Sequence, residues 1–222
     1  MDTFRQHEVF EIETIDALHR GGCLDPLVFG GETMLRLCHE LPRYSVGLDF
    51  WFIKTVEEDA YFQKVQGLLK KNHDITDAWI KHYTLVFELR NSAYPRRLKI
   101  EIRRKIQNCD YQEKIAFSRF STRQIALKAH TLEQTMKNKV EAFLSRREIR
   151  DAFDMEFLLR RGVALPLLDE ASLRKLQAGV NRFTDRDFSV TLGSILESDL
   201  RNYYASRKFA FLNEKINLAL AG

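Results

Sequence analysis

Proline, glycine and cysteine are all scarce in this chain, and each scarcity removes a class of protein. Four prolines and ten glycines among 222 residues leave no Pro- or Gly-rich low-complexity linker. Three cysteines (Cys23, Cys38, Cys109) are odd in number and far apart. With no CxxC pair and no Cys/His cluster, they support neither a disulfide framework nor a cysteine-ligated zinc site. No apolar run approaches the roughly 18 residues of a membrane span. The opening segment, MDTFRQHEVFEIETID, is acidic and amphipathic, unlike a secretory signal. The expected setting is a reducing cytoplasm, with no membrane partner.

What is present is ordinary for a folded protein. The chain is 45% hydrophobic and 30% charged, which suits one sizeable domain or two small ones. The net charge is +4, and its basic residues cluster in RRLKIEIRRK (96–105), SRREIR (145–150) and the pair at 160–161. Such clusters are either solvated surface or attractors of a polyanion such as RNA or a triphosphate.

Hydrophobic periodicity divides the chain. Residues 3–20 predict an amphipathic helix with Phe10, Ile12, Ile15 and Leu18 on one face, ended by Gly21-Gly22. A short buried strand follows at PLVF, a helix from Glu32 to His39, a strand at LDFWFI (48–53) and a helix from Glu57 to Lys71. The stretch 77–90 alternates in places, and RLKIEIRRKI (97–106) alternates strictly, with Leu98, Ile100 and Ile102 opposite Lys99, Glu101 and Arg103. One more strand is expected within 111–119, and helices from about residue 124 onward. The predicted fold class is α/β (α+β): a mixed sheet flanked by helices in residues 1–123, then a helical bundle in 124–222 packed against it.

Two carboxylates stand out. Asp49 lies between Leu48 and Phe50, and Glu101 between Ile100 and Ile102. A charge in an apolar strand is costly unless paired or metal-bound. If the two strands are neighbours, both acids project from one sheet face, as a hard cation such as Mg²⁺ requires. Two such ions can activate an attacking hydroxyl and steady a leaving pyrophosphate. The alternative is that each acid is a solvent-facing member of an alternating strand, which is stronger for Glu101, flanked by Lys99 and Arg103. The Gly30-Gly31 pair, at a strand-to-helix turn, would let backbone N–H groups approach phosphate oxygens.

In combination these residues resemble the AbiEii/AbiGii toxin family of the nucleotidyltransferase superfamily. Phe29, Gly31, Thr33, Leu35, Arg36 and Leu37 follow its first motif, and Pro42, Arg43, Tyr44, Ser45, Leu48, Asp49 and Phe50 its second. Lys99-Ile100-Glu101, then Lys139-Val140 with Ala142 and Arg146, then Arg150-Asp151 with Phe153-Asp154 complete the order. The resemblance implies a nucleotidyltransferase-like sheet domain. It implies Gly30, Gly31 and Thr33 beside nucleotide phosphates, and Arg43 and Ser45 lining the site. Asp49 and Glu101 would be metal ligands, Lys139 would reach the triphosphate, and Asp154 would be a nearby polar or catalytic group. For Lys139 a surface lysine, and for Asp154 a salt bridge to a neighbouring arginine, are the structural alternatives.

Two positions depart from that pattern. Glu32 stands where a second glycine is expected, and Gly47 where the first metal aspartate is expected. Three readings follow. The first is a toxin of a toxin–antitoxin or phage-defence system that moves a nucleotide from an NTP to an acceptor hydroxyl on tRNA or another RNA, with Mg²⁺. The second is a degenerate member that binds nucleotide, RNA or a partner without catalysis. The third is a module whose helical half docks an antitoxin protein through residues 202–220.

Overall fold

A computed structural model describes residues 3–106 and 108–221. The chain divides into two compact units. One comprises Met1–Glu40 and Tyr44–His130, the other Leu41–Arg43 and Thr131–Gly222.

The first unit is built on a seven-stranded mixed sheet. Its strands are β1 (Leu27–Gly30), β2 (Gly47–Phe52), β3 (Asp74–Ile80), β4 (Thr84–Arg90), β5 (Leu98–Arg103), β6 (Tyr111–Phe117) and β7 (Gln124–His130), in the order β3-β4-β5-β2-β1-β7-β6. β2 runs parallel to β5 and antiparallel to β1. Strand alternation decides which residues share a face. Leu48, Phe50 and Phe52 of β2 join Leu98, Ile100 and Ile102 of β5 in the core, all at most 1% exposed. Helix α3 (Glu58–Leu69) covers this apolar face, with Phe62 stacked on Phe87 and Tyr61 edge-on to Phe52. Helix α1 (Thr3–Arg20) adds Phe10, which stacks on Tyr94 at 4.5 Å. The opposite face carries Gly47, Asp49 and Trp51. Helix α2 (Gly31–His39) connects β1 to β2 and ends on Glu40 in the left-handed region.

The helical unit contains α4 (Leu132–Arg146), α5 (Ile149–Arg160), α6 (Glu170–Asn181), a π-helical turn (Asp187–Leu192), α7 (Ser198–Arg207) and α8 (Ala210–Ala221). Thr131 caps α4 and Asp169 caps α6, each side chain accepting a backbone N–H of the first turn. Phe143, Phe183, Phe188, Phe209, Tyr204 and Phe153 form a continuous aromatic cluster. The fully buried Glu156 accepts from Arg160 and from the Leu212 backbone N–H, so it caps α8 from α5.

Three stretches are refined by the structure. Residues 124–130, expected to open the helical half, form β7; Ala126 and Ala129 gave QIALKAH a helical composition, while Ile125, Leu127 and Ala129 are buried at strand period two. The stretch 77–90 is most of a hairpin, with a turn at residues 81–83. Within the helices expected after residue 124, residues 187–192 form a π-helical turn and α7 begins only at Ser198.

Candidate active site

In the sheet unit, register brings the two acids together. Gly30 pairs with Asp49, and Asp49 with Glu101. Residues paired across adjacent strands project on the same face about 4.8 Å apart at the backbone, so both carboxylates stand side by side. Glu101 also takes the alternative expected for it: Lys99 Nζ lies 2.9 Å from its Oε1 on a half-exposed face. Gly47 and Lys99 form the next row of the same face. The position that lacks a carboxylate therefore sits directly beside Asp49.

The glycines are held by close approach. Gly31 has φ 73, a backbone that L side chains rarely adopt, and a Cβ there would fall 2.4 Å from Asp49 Oδ2. The Asp49 carboxylate thus packs onto the turn that opens α2. A Cβ on Gly30 would meet His130 Nδ1 at 2.5 Å and Trp51 at 2.6 Å. Gly47 is roomier: a Cβ would lie 3.1 Å from the Lys99 carbonyl, close enough that β5 must yield by a few tenths of an ångström. The fully buried Thr33 donates its hydroxyl to the Gly47 carbonyl, tying the first turn of α2 to the start of β2. This hydrogen bond occupies the hydroxyl that the resemblance directs toward phosphates.

Sequence reading missed a buried polar network on α1. Glu8 accepts from Arg36 of α2 (2.8 Å) and from Ser118 (2.6 Å). Glu11 accepts from Ser45, whose hydroxyl is 3.1 Å from both carboxylate oxygens. Burial, reinforced by the nearby Glu8 charge, pushes the Glu11 carboxyl well above the usual carboxylate range. His7, 1% exposed, is pushed down to about 4, mainly by burial. A signal was available: Glu8 and Glu11 continue the 8-11-15-18 line that runs through Ile15 and Leu18.

In the helical unit the remaining predicted residues form one ion network. Arg43 is fully buried and makes a two-pronged pair with Asp154: Nε donates to Oδ1 and Nη2 to Oδ2, both at 2.7 Å. Lys139 Nζ lies 2.6 Å from Asp154 Oδ2 and 3.2 Å from Asp151 Oδ1. Arg146 completes the set by donating to both oxygens of Asp151. Burial works against the Asp154 charge, yet Arg43 and Lys139 outweigh it and hold the carboxyl below its ordinary range. Asp151 and Asp154 lie three residues apart on α5, which places both on one helix face. Asp154 thus has the arginine partner anticipated as its alternative, whereas Lys139 is buried and paired rather than a surface lysine.

Among the described residues, no group of three or more His, Cys, Asp or Glu side chains is placed to hold a metal. The donor set still fits Mg²⁺, which is commonly held by one or two carboxylates together with waters and substrate phosphates. Among the described residues, no helix is long and apolar enough to cross a membrane.

Solved structures share this fold. JHP933 from Helicobacter pylori aligns with TM-score 0.57 at 20% identity, over 96% of this chain and 92% of that one. A putative nucleotidyltransferase from H. pylori aligns at 0.54 and 16% identity, over 93% and 94%. MenT4, a nucleotidyltransferase toxin from Mycobacterium tuberculosis H37Rv, aligns at 0.51 and 15%, over 98% and 97%. At these identities the likeness is one of fold. No curated protein matches the chain at a significant level. The family described as nucleotidyl transferase AbiEii toxin, type IV TA system, matches residues 16–216, and with the motif residues standing in its order on a nucleotidyltransferase toxin fold, the chain belongs to that family.

Proposed function

We propose that this toxin-family nucleotidyltransferase moves a nucleotide from an NTP to a hydroxyl of an RNA acceptor, with tRNA the expected acceptor. Asp49 and Glu101 are the pair that would hold Mg²⁺. The observation that carries this reading is the Gly30–Asp49–Glu101 row: two carboxylates in register on one face, with the first pressed against the glycine turn that opens α2. When bound, the ion would neutralise phosphate charge and lower the pKa of an attacking hydroxyl. Asp49 and Glu101 would orient it, and the α2 N-terminus with Gly31 would favour phosphate oxygens nearby. Glu101 can also accept the proton of the acceptor hydroxyl. Lys99, beside Glu101, supplies a cation on the same face.

Arg43, Lys139, Asp151 and Asp154 are read chiefly as the network that fixes α4, α5 and the 41–43 segment. The Lys139 ammonium is given to Asp151 and Asp154. A cognate antitoxin protein is the partner expected of the family, and the cytoplasm the expected setting.

Gly47 favours a second reading, a scaffold with weakened or lost chemistry, because the row beside Asp49 has no carboxylate. Labelled NTP transfer to total tRNA with Mg²⁺ separates the two. Transfer that falls by about 10²–10³-fold in Asp49→Ala and in Glu101→Ala supports the active reading. Transfer that appears only in Gly47→Asp supports the second. Transfer by the unmodified protein that survives both alanine substitutions removes the proposed site.

A further inference from the structure

The row that joins the acids continues to the sheet edge. Glu101 pairs with Val86, and Val86 with Trp79 on the edge strand β3. Trp79 therefore projects on the same face as Asp49 and Glu101, two strand spacings from Glu101, on the order of 10 Å. Trp79 is 61% exposed. The contrast with the other tryptophan is informative. Trp51, 8% exposed, has His130 against one part of its ring and the Arg103 guanidinium 5.6 Å from its centroid. No such ring or cation contact engages Trp79 among the described residues. A large aromatic surface left in water is costly at about 25 cal/mol per Å². On an edge strand it is also a liability that charged residues ordinarily guard against.

Between the indole and Glu101 lies Val86 of β4. Lys99 and Arg103 flank Glu101 along β5 on this face. The separation matches the reach from a nucleobase to its phosphates.

Resting on the active-site reading above, we infer that Trp79 is a stacking platform for a nucleobase whose phosphate or sugar lies at the Asp49–Glu101 pair. Every base has a π-face, so such a platform is sequence-tolerant and worth about 1–3 kcal/mol per stacked base. The base belongs either to the incoming NTP or to the acceptor RNA strand.

The test is tryptophan-fluorescence titration of the full chain with each NTP and with a short single-stranded oligoribonucleotide, in the presence of Mg²⁺. Affinities are confirmed by a label on the ligand for unmodified protein, Trp79→Phe and Trp79→Ala. The expected result is quenching in the unmodified protein that is reduced in Trp79→Phe, the remainder coming from Trp51 on the same face as Asp49. Trp79→Phe should keep affinity within about threefold, and Trp79→Ala should lose roughly 5- to 100-fold. A loss confined to NTPs assigns the base to the donor nucleotide; a loss confined to the oligoribonucleotide assigns it to the acceptor. Circular dichroism unchanged by either substitution at this exposed position shows that the fold is intact. Unchanged affinity of Trp79→Ala for both ligands overturns the platform and leaves the Asp49–Glu101 reading standing. An unmodified protein that binds neither NTP nor RNA overturns both.

Discussion

Individual residues here are fixed by neighbours far away in the chain. Asp154 is fully buried against Arg43, 111 positions earlier. Removing one partner of such a pair leaves an uncompensated charge, which commonly costs about 3–5 kcal/mol. Asp154→Ala should therefore lower the urea midpoint strongly. Arg43→Lys should lose much of the same stability, because an ammonium cannot reproduce the two parallel donors of the guanidinium. Gly31→Ala is a second case. Its φ of 73 and the 2.4 Å approach to Asp49 leave no place for a methyl group. The expected outcome is a loss of roughly 1–3 kcal/mol together with a displaced Asp49, seen as a drop in nucleotide transfer larger than the stability loss explains. A wild-type rate in a fully folded Gly31→Ala protein would show that the turn does not set the position of Asp49.

At the scale of elements, α1 is joined to the sheet unit by ionic as well as apolar contacts. Glu8 on α1, Arg36 on α2 and Ser118 just beyond β6 form one buried set. Arg36 also lies over the Tyr44 ring, 4.9 Å from its centroid. Arg36→Met should destabilise by several kcal/mol, since it strands the Glu8 charge. Adding Glu8→Met should recover part of the loss. A double-mutant cycle in which the two losses simply add would show that the pair is not coupled. This network was hidden at the sequence level because Glu8 and Glu11 look like the polar margin of an amphipathic helix. Only the docking of α2 and of the 44–46 segment turns that margin inward.

For the molecule as a whole, buried histidines set the acid response. Burial pushes His7 and His130 down to about 4 from an ordinary 6.5. Between those values the unfolded chain binds protons that the folded chain refuses, so stability falls as pH is lowered from about 6.5 to about 4. Each histidine contributes up to about 3 kcal/mol over that window. Glu11 acts in the opposite direction: its raised pKa gives stability that is present at low pH and lost as pH rises above about 4.5. His130→Asn should flatten the pH dependence of the unfolding free energy between pH 6.5 and 4. The quantity to compare is the slope, since the substitution also changes packing. An unchanged slope would mean that His130 titrates normally in the folded protein.

Sequence alone determined the period-two strands at β2 and β5, the helical stripes of α1 and α3, and the motif order that names the family. It did so because strand alternation and helix periodicity are local consequences of burying one face. It also picked out Asp49 and Glu101, since an acid between apolar neighbours is visible without a structure. Tertiary structure alone decided that these acids share one row, through the parallel pairing of β2 with β5. It decided that β7 is a strand, because alanine-rich segments take the conformation their neighbours stabilise. It also decided that Arg43 faces Asp154 while Ser45, two residues on, faces Glu11. Those outcomes depend on contacts between segments distant in the chain, and no local pattern of residues encodes them.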